Sequence, residues 1–123
     1  MSIKKTVLLK IGITKIKRIV DEDPEISWMD GKRLKEYDNG EFCFIGIEVE
    51  TEILTSHDKG KTFLINHISS GGLWGIESDS EDDYFKEVVA EEMSELKKIL
   101  QSMGFKLREI KASFEAASVC EVY

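Results

Sequence analysis

The sequence predicts an α+β domain: an antiparallel sheet of about three strands, a long amphipathic helix packed across one face of it, and a short C-terminal helix. Two stretches carry this prediction. Residues 41–54 alternate apolar and acidic side chains, as a half-buried strand does, and residues 82–103 repeat apolar side chains at the 3.6-residue period of a helix. A chain of 123 residues without an internal linker or repeat is expected to form a single domain, residues 1–123.

The first strand is predicted at residues 6–20, whose sequence TVLLKIGITKIKRIV is rich in β-branched side chains. The turn signal Asp23-Pro24 ends it, because the residue before a proline is disfavoured in helices. Residues 26–37 then have room for a turn or two of helix, with Trp28 facing inward.

Residues 41–54 predict the clearest strand. Its apolar face holds Cys43, Ile45, Ile47, Val49 and Ile53, and its other face holds Glu48, Glu50 and Glu52. A turn centred on Asp58 leads into a third strand at residues 62–69, in which His67 faces Val49 on the buried side. This register matters, because a slip of one residue would reverse every face.

The segment from residue 69 to residue 84, SSGGLWGIESDSEDDY, joins the third strand to the helix. Its glycines predict a linker, and Ser78 with Glu81 has the spacing of a capping box. The apolar stripe of the helix consists of Phe85, Val88, Val89, Met93, Leu96, Ile99, Leu100 and Met103. Gly104 is the expected left-handed stop. Residues 106–118 fit a helix or a strand, and their alanines favour a short helix.

The net charge of -7 is unevenly distributed. Residues 36–95 hold three Lys/Arg against sixteen Asp/Glu, a balance of -13, and this disfavours direct binding of nucleic acid. No stretch approaches the roughly 18 apolar residues of a membrane span, and lysines interrupt the N-terminal apolar run, so a cytoplasmic protein is expected. Cys43 and Cys120 have neither metal nor disulfide spacing, and free thiols are expected.

Two rows of carboxylates are candidate binding surfaces. The acidic ridge consists of Asp83, Glu87, Glu91 and Glu95 on the long helix, and the strand row consists of Glu48, Glu50 and Glu52. Like charges four residues apart destabilise an isolated helix by a few tenths of a kcal/mol per pair, which Lys98 offsets in part. The ridge is either an electronegative surface for a protein partner or a solvated helix face. The strand row has a similar alternative, cross-strand pairing with Lys10, Lys15 or Lys17.

Glu92 lies inside the apolar stripe of the helix, where an unpaired carboxylate would be costly. With the hairpin register above, His67 is a plausible neighbour, and the two would form a candidate acid–base pair. The structural alternative is that Glu92 accepts hydrogen bonds from backbone amides of the glycine-rich linker, or reaches the edge of the core. One Glu and one His are weak support for catalysis, so no catalytic residue is assigned and no enzyme activity is expected.

Trp74 in the sequence GGLWG is expected to anchor the linker over the helix, with stacking on a small ligand or nucleotide as the alternative. No phosphate-binding glycine motif is present, so no cofactor is predicted. The acids before the helix are Glu77, Asp79, Glu81, Asp82 and Asp83. They lack the order of a calcium loop and are explained by the helix dipole, so no metal site is predicted.

The stretch GEFCFIGIEVETEI, followed by ISSGGLWGIESDSEDDYFKEVVAEEMSELKKIL, resembles a group of small uncharacterised proteins from bacteria, prophages and other mobile elements. The resemblance spans roughly residues 40–104 and is most specific at residues 70–80. It implies a mobile-element setting and, by analogy, an inhibitor of a host system.

Charge and resemblance together predict a non-enzymatic acidic binding or inhibitory module that acts on a protein partner, with an anti-defence or DNA-mimic-like role. The alternatives are a small-ligand or nucleotide-binding module that uses Trp74, and a small enzyme that uses Glu92 and His67.

Overall fold

A computed structural model describes residues 7–122 of the chain. Within them a five-stranded sheet and three helices are formed: β1 Leu8–Val20, α1 Gly31–Asp38, β2 Phe44–Ser56, β3 Leu64–Ser69, β4 Leu73–Glu77, α2 Asp82–Ser102, α3 Leu107–Glu115 and β5 Ser118–Val122. The mixed α+β class is confirmed, whereas the prediction of about three strands is wrong. None of the helices in this part of the chain combines the length and the apolarity needed to cross a membrane.

The strands lie in the order β3-β2-β1-β5, and β4 pairs with β2 beyond the end of β3. Strand β2 is antiparallel to β1, β3 and β4, while β1 and β5 are parallel. The β1–β2 register shifts between Ile11 and Thr14, which marks a β-bulge in β1.

The main core lies on the face of the sheet that α2 and α3 cover, called here the helix face. It consists of Ile45, Ile47, Val49, Ile53, Ile76, Phe85, Val88, Leu96, Leu100, Phe105 and Ile110. Alternation along β2 brings its apolar side chains to this face, and the 3.6-residue period brings the stripe of α2 onto them. The predicted apolar faces of both elements are confirmed, although Ile99 and Met103 lie at the exposed edge of the stripe.

A smaller core lies on the opposite face of the sheet, called here the outer face. Met29, Phe42 and Phe44 are buried there under α1. Trp28, predicted to face inward, is 59% exposed and touches this core only edge-on, with its ring centroid 6.3 Å from that of Phe44. Because α1 reaches only the end of β2 near Phe44, it leaves the rest of the outer face to the strand row.

Two strands were missed by the sequence prediction for different reasons. Strand β4 lies in the segment that was expected to be a linker, because its glycines are typical of turns. In the structure Gly72 and Gly75 do have positive φ, 85° and 76°, but the residues between and after them pair with β2. Strand β5 follows α3 and begins at Ser118, the last residue of the segment 106–118 that was predicted to be a short helix. It is ordered by parallel pairing of residues such as Val119 with Ile16. That partner is about a hundred residues away, so no local pattern reveals the strand.

Buried hydroxyl groups attach α3 to the bulge in β1. The Thr14 Oγ1 atom lies 2.7 Å from Thr51 Oγ1 and 2.7 Å from Ser113 Oγ, and Ser113 also donates to the carbonyl of Gly12 at 2.8 Å. Thr14 and Thr51 are both buried. These bonds satisfy polar groups inside the core and set where the chain leaves α3 to enter β5.

The C-terminal end of α2 was predicted correctly, but the capping of its N-terminal end was not. Gly104 has φ of 97°, and the amide of Phe105 donates to the carbonyl of Leu100 at 3.2 Å, which confirms the predicted glycine stop. The predicted capping box is wrong. The Ser78 hydroxyl instead accepts the amide hydrogen of Cys43 at 2.9 Å, because Ser78 lies at the end of β4 beside β2.

Candidate functional site

The acidic ridge lies on the solvent side of α2. Asp83, Glu87, Glu91 and Glu95 are all exposed, and successive members are one helical turn apart. Glu95 forms an ion pair with Lys98 at 3.2 Å. Within residues 7–122, Asp83, Glu87 and Glu91 form no ion pair. The ridge therefore presents negative charge to the solvent with little internal compensation.

Two of the acids before the helix, Glu77 and Asp79, are arranged differently, because together with Glu36 they surround Arg33 of α1. The guanidinium lies 2.6 Å from Glu77 and 2.6 Å from Asp79, 2.7 Å from Glu36, and 3.5 Å above the ring of Phe42. Hydrogen bonding to Arg33 holds the pKa of Asp79 below its usual value, and the same bonds raise the pKa of Arg33. This cluster joins α1 to the β4–α2 connection.

Metal-binding geometry is not found in the part of the chain that the structure describes, where no group of three or more His, Cys, Asp or Glu side chains is placed to hold an ion. Cys43 and Cys120 are free thiols, as predicted.

The strand row lies on the outer face and is largely paired. Lys17 reaches Glu50 at 3.0 Å, and the hydroxyl of Ser69 donates to Glu48 at 3.1 Å. Glu50 is only 17% exposed. The predicted cross-strand pairing is confirmed for Lys17. As a binding surface the strand row therefore offers less free charge than the acidic ridge.

His67 lies on the outer face, so the register predicted for the hairpin is wrong. The connection from β2 to β3 is seven residues long, and His67 pairs with Glu52 instead of Val49. This displacement is an odd number of residues, which moves His67 from the helix face to the outer face. There its Nε2 atom lies 3.8 Å from Glu52 and 3.9 Å from Glu50.

Glu92 lies on the helix face, so the sheet separates it from His67 and the predicted acid–base pair is not formed. Its side chain is 9% exposed and accepts a hydrogen bond from the Ser70 hydroxyl at 2.8 Å. Ser70 Oγ in turn accepts the amide hydrogen of Val49 at 3.0 Å. The structural interpretation of Glu92 is thus correct in substance, but a hydroxyl of the glycine-rich segment binds the carboxylate where backbone amides were expected.

Trp74 lies on the outer face, and the prediction that it packs over the helix is wrong. A Cβ atom added to Gly46 would lie 2.2 Å from the indole ring, so the ring rests directly on that glycine. Gly46 alternates with Ile45 and Ile47, which face α2, and this fixes the side on which the indole lies. Trp74 is 46% exposed, and its Nε1 atom donates to the carbonyl of Gly71 at 3.4 Å.

Sequence reasoning missed Arg33 and Arg18. Arg33 contacts acids 44 and 46 residues away, and Arg18 lies over the ring of Phe85, 4.7 Å from its centroid. Both look like ordinary surface cations in the sequence. Their contacts with distant elements become visible only in the folded structure.

The fold and the surfaces together define a mixed α+β domain with an exposed acidic helix. Comparison of the chain with protein-family models, with curated proteins and with solved structures found no match.

Proposed function

We propose that this protein is a non-enzymatic binding module that captures a basic protein partner through the acidic ridge. The observation that carries the proposal is the division of the acids into two groups. Glu50, Glu77 and Asp79 bind cations of the same chain, whereas within residues 7–122 the ridge has an ion-pair partner only at Glu95.

A basic partner would relieve a cost that the ridge imposes on its own helix. Successive ridge carboxylates are about 6 Å apart along the axis, and each like-charge pair destabilises the helix by a few tenths of a kcal/mol. Complementary charge raises association rates and specificity more than affinity. Because the ridge is exposed and the screening length is about 8 Å at physiological salt, capture should weaken steeply as salt is added.

The partner class we propose is a protein that normally binds nucleic acid, which makes the module a DNA-mimic-like inhibitor. A helix of 21 residues with carboxylates spaced four residues apart repeats negative charge along its surface, as a phosphate backbone does. The resemblance to proteins of mobile elements favours an anti-defence role.

The test is capture from a bacterial lysate by the immobilised protein, with the double reversal Glu87→Lys and Glu91→Lys. Both side chains are exposed, so the fold should persist. The matched control reverses Glu41 and Glu115, which are also exposed and lie off the ridge. Proteins retained by the wild type and by the control, lost with the ridge variant and released by duplex DNA would support the proposal.

Two results would contradict the proposal. The same proteins retained by the wild type and the ridge variant would show that the ridge is only a solvated helix face. Equal loss with the ridge variant and with the control would show that net charge, rather than this surface, drives capture.

A further inference from the structure

The end of the sheet that carries the β2–β3 hairpin is left uncovered by the helices. On the helix face, Phe105 packs in the same cluster as Ile53, and α3 then turns back toward the bulge, where Ser113 contacts β1. On the outer face, α1 covers only the opposite end of the sheet, near Phe44. The sheet tip, as this uncovered end is called here, consists of residues 8–10 and 54–65.

The sheet tip is apolar on both of its faces. Leu9 and Leu64 pair with Thr55, which places both on the helix face. Ile65 pairs with Leu54, which places it on the outer face. Leu64 is 64% exposed and Ile65 is 58% exposed, although side chains of this type are mostly buried in folded proteins. Neighbouring exposed apolar side chains of this kind mark an interaction surface.

Positive charge surrounds the sheet tip, although the chain as a whole carries -7. The segments at this end of the domain, residues 7–11, 57–65 and 103–111, hold six Lys/Arg against two acids. The six cations are exposed and form no ion pair within the described part of the chain: Lys10, Lys59, Lys61, Lys106, Arg108 and Lys111. The opposite end is acidic, because residues 21–25 and 77–83, where β1 and β4 end, hold nine acids and no Lys or Arg.

Apolar side chains on two faces, ringed by cations, select one class of partner. Nucleic acid offers phosphates to the lysines but no apolar surface for Leu64 and Ile65. A second copy joined tip to tip would bring the lysines of both copies together, and juxtaposed like charges oppose association. A protein that covers one face would leave the apolar side chains of the other face in water. An anionic bilayer surrounds an inserted tip on both faces and neutralises the lysines at its headgroups.

We propose that the sheet tip docks on the surface of an anionic lipid bilayer. Phe63, Leu64 and Ile65 enter the boundary between headgroups and acyl chains. Lys59 and Lys61 of the hairpin loop extend to the anionic headgroups, as long basic side chains do at a membrane interface. Binding is peripheral and reversible, because only a few side chains are inserted. It does not depend on the partner proposed for the acidic ridge.

The test is co-sedimentation of the whole protein with sucrose-loaded vesicles at about 100 mM salt, where exposed charges interact over about 10 Å. One set of vesicles contains phosphatidylglycerol and phosphatidylcholine in equal amounts, and the other contains phosphatidylcholine alone. Binding to the mixed vesicles should be at least about tenfold tighter and should weaken as salt is added. Nitroxide-labelled lipid should broaden the amide signals of residues 59–65 and leave those of α1 unchanged.

The apolar variant is Leu64→Thr with Ile65→Thr, which keeps strand-forming β-branched side chains. Its matched control is Leu73→Thr with Val119→Thr, which removes exposed apolar side chains from strands away from the tip. All four side chains are exposed, so both proteins should fold. The apolar variant should bind mixed vesicles at least about tenfold more weakly than the wild type. The control should bind them as the wild type does.

The charge variant is Lys59→Gln with Lys61→Gln, and it should bind mixed vesicles at least about fivefold more weakly. Its matched control is Lys32→Gln with Lys35→Gln, which removes the same charge from exposed positions of α1 at the opposite end of the sheet. This control should leave binding unchanged, because the lost charges lie far from the bilayer.

Several results would overturn the proposal. One is no binding to the mixed vesicles at millimolar lipid, and another is equally tight binding to phosphatidylcholine alone. Equal loss with a variant and its control would show that the sheet tip is not the contact. Loss with the charge variant but not with the apolar variant would show that nothing is inserted. A dimer that the apolar variant converts to a monomer in sedimentation equilibrium would assign the tip to a second copy.

Discussion

Replacing Gly46 by alanine tests the contact between β2 and the tryptophan of β4. A Cβ atom at this position would lie 2.2, 2.5 and 2.6 Å from three carbons of the Trp74 ring, far inside van der Waals contact. Because Gly46 is not among the positive-φ glycines, its backbone accepts alanine without strain. The indole must therefore move, and the cost of the substitution should lie in Trp74 alone.

The expected loss of stability in Gly46→Ala follows from how much of the indole of Trp74 is buried. Trp74 is 46% exposed, so roughly half of a side chain of about 250 Å² is buried, which at about 25 cal/mol per Å² sets an upper limit near 3 kcal/mol. We expect Gly46→Ala to lower the free energy of unfolding by about 1–3 kcal/mol. In a Trp74→Ala background the sign should reverse, with a gain of about 0.5–1 kcal/mol, because alanine loses less backbone entropy than glycine in a strand.

The assay is urea unfolding followed by far-UV circular dichroism, which does not depend on either tryptophan. Trp28→Ala is the matched control, because it removes the other tryptophan from the same face without touching Gly46. The cost of Gly46→Ala should persist in that background. An equal cost of Gly46→Ala with and without Trp74 would refute the reasoning, since it would show that the indole does not rest on the glycine.

Three further predictions concern polar contacts. Ser70→Ala leaves the carboxylate of Glu92 without its hydroxyl donor and the amide of Val49 without its acceptor, and it should lower the free energy of unfolding by about 1–3 kcal/mol. Glu92→Met should recover only the part of this cost that comes from the carboxylate, and a coupling below about 0.3 kcal/mol in a urea double-mutant cycle would contradict the contact. Arg33→Gln removes the cation that joins α1 to the β4–α2 connection. Amide hydrogen exchange in α1 should therefore become faster than in the wild type, while exchange in α2 is unchanged. Exchange in α1 at the wild-type rate would show that these ion pairs do not stabilise α1. The pKa of Asp58 is lowered from 3.8 to about 2 by hydrogen bonds from the hydroxyl and the amide of Thr62 and from the Ser56 hydroxyl. A depressed pKa contributes stability above the unfolded value that is lost as pH falls through the folded one. Asp58→Asn should therefore lower the urea midpoint at pH 7, and its gap to the wild type should shrink as pH falls from about 4 to about 2. A gap as large at pH 2 as at pH 7 would count against this.

Helix α2 could be predicted because its signals are local. The apolar stripe from Phe85 to Leu100 follows the helical period, and Gly104 supplies a left-handed residue where the helix must end. The anomaly at Glu92 was visible for the same reason, since the period alone places it in the stripe. The exposure of the acidic ridge follows from the same geometry, because residues opposite a buried stripe face solvent.

The register of the hairpin between β2 and β3 could not be predicted from local sequence. Both strands were predicted, yet their connection is ordered by Asp58 bonding to Thr62 and Ser56, with Lys59 and Gly60 at positive φ. The loop has the seven residues that the prediction gave it, but the pairing is centred between Lys59 and Gly60 and not on Asp58, and this position sets the register. A displacement of three residues was enough to remove His67 from the helix face and with it the candidate acid–base pair.

The α+β class, the two amphipathic elements that form the main core, and the acidic surface of α2 could be predicted from the amino-acid sequence, because periodicity and charge are properties of neighbouring residues. The five-stranded sheet, the side on which Trp74 lies, the partners of Arg33 and the contact of Arg18 with Phe85 follow from tertiary packing. Each of these depends on residues far apart in the chain, whose pairing is selected by packing and hydrogen bonding across the whole domain.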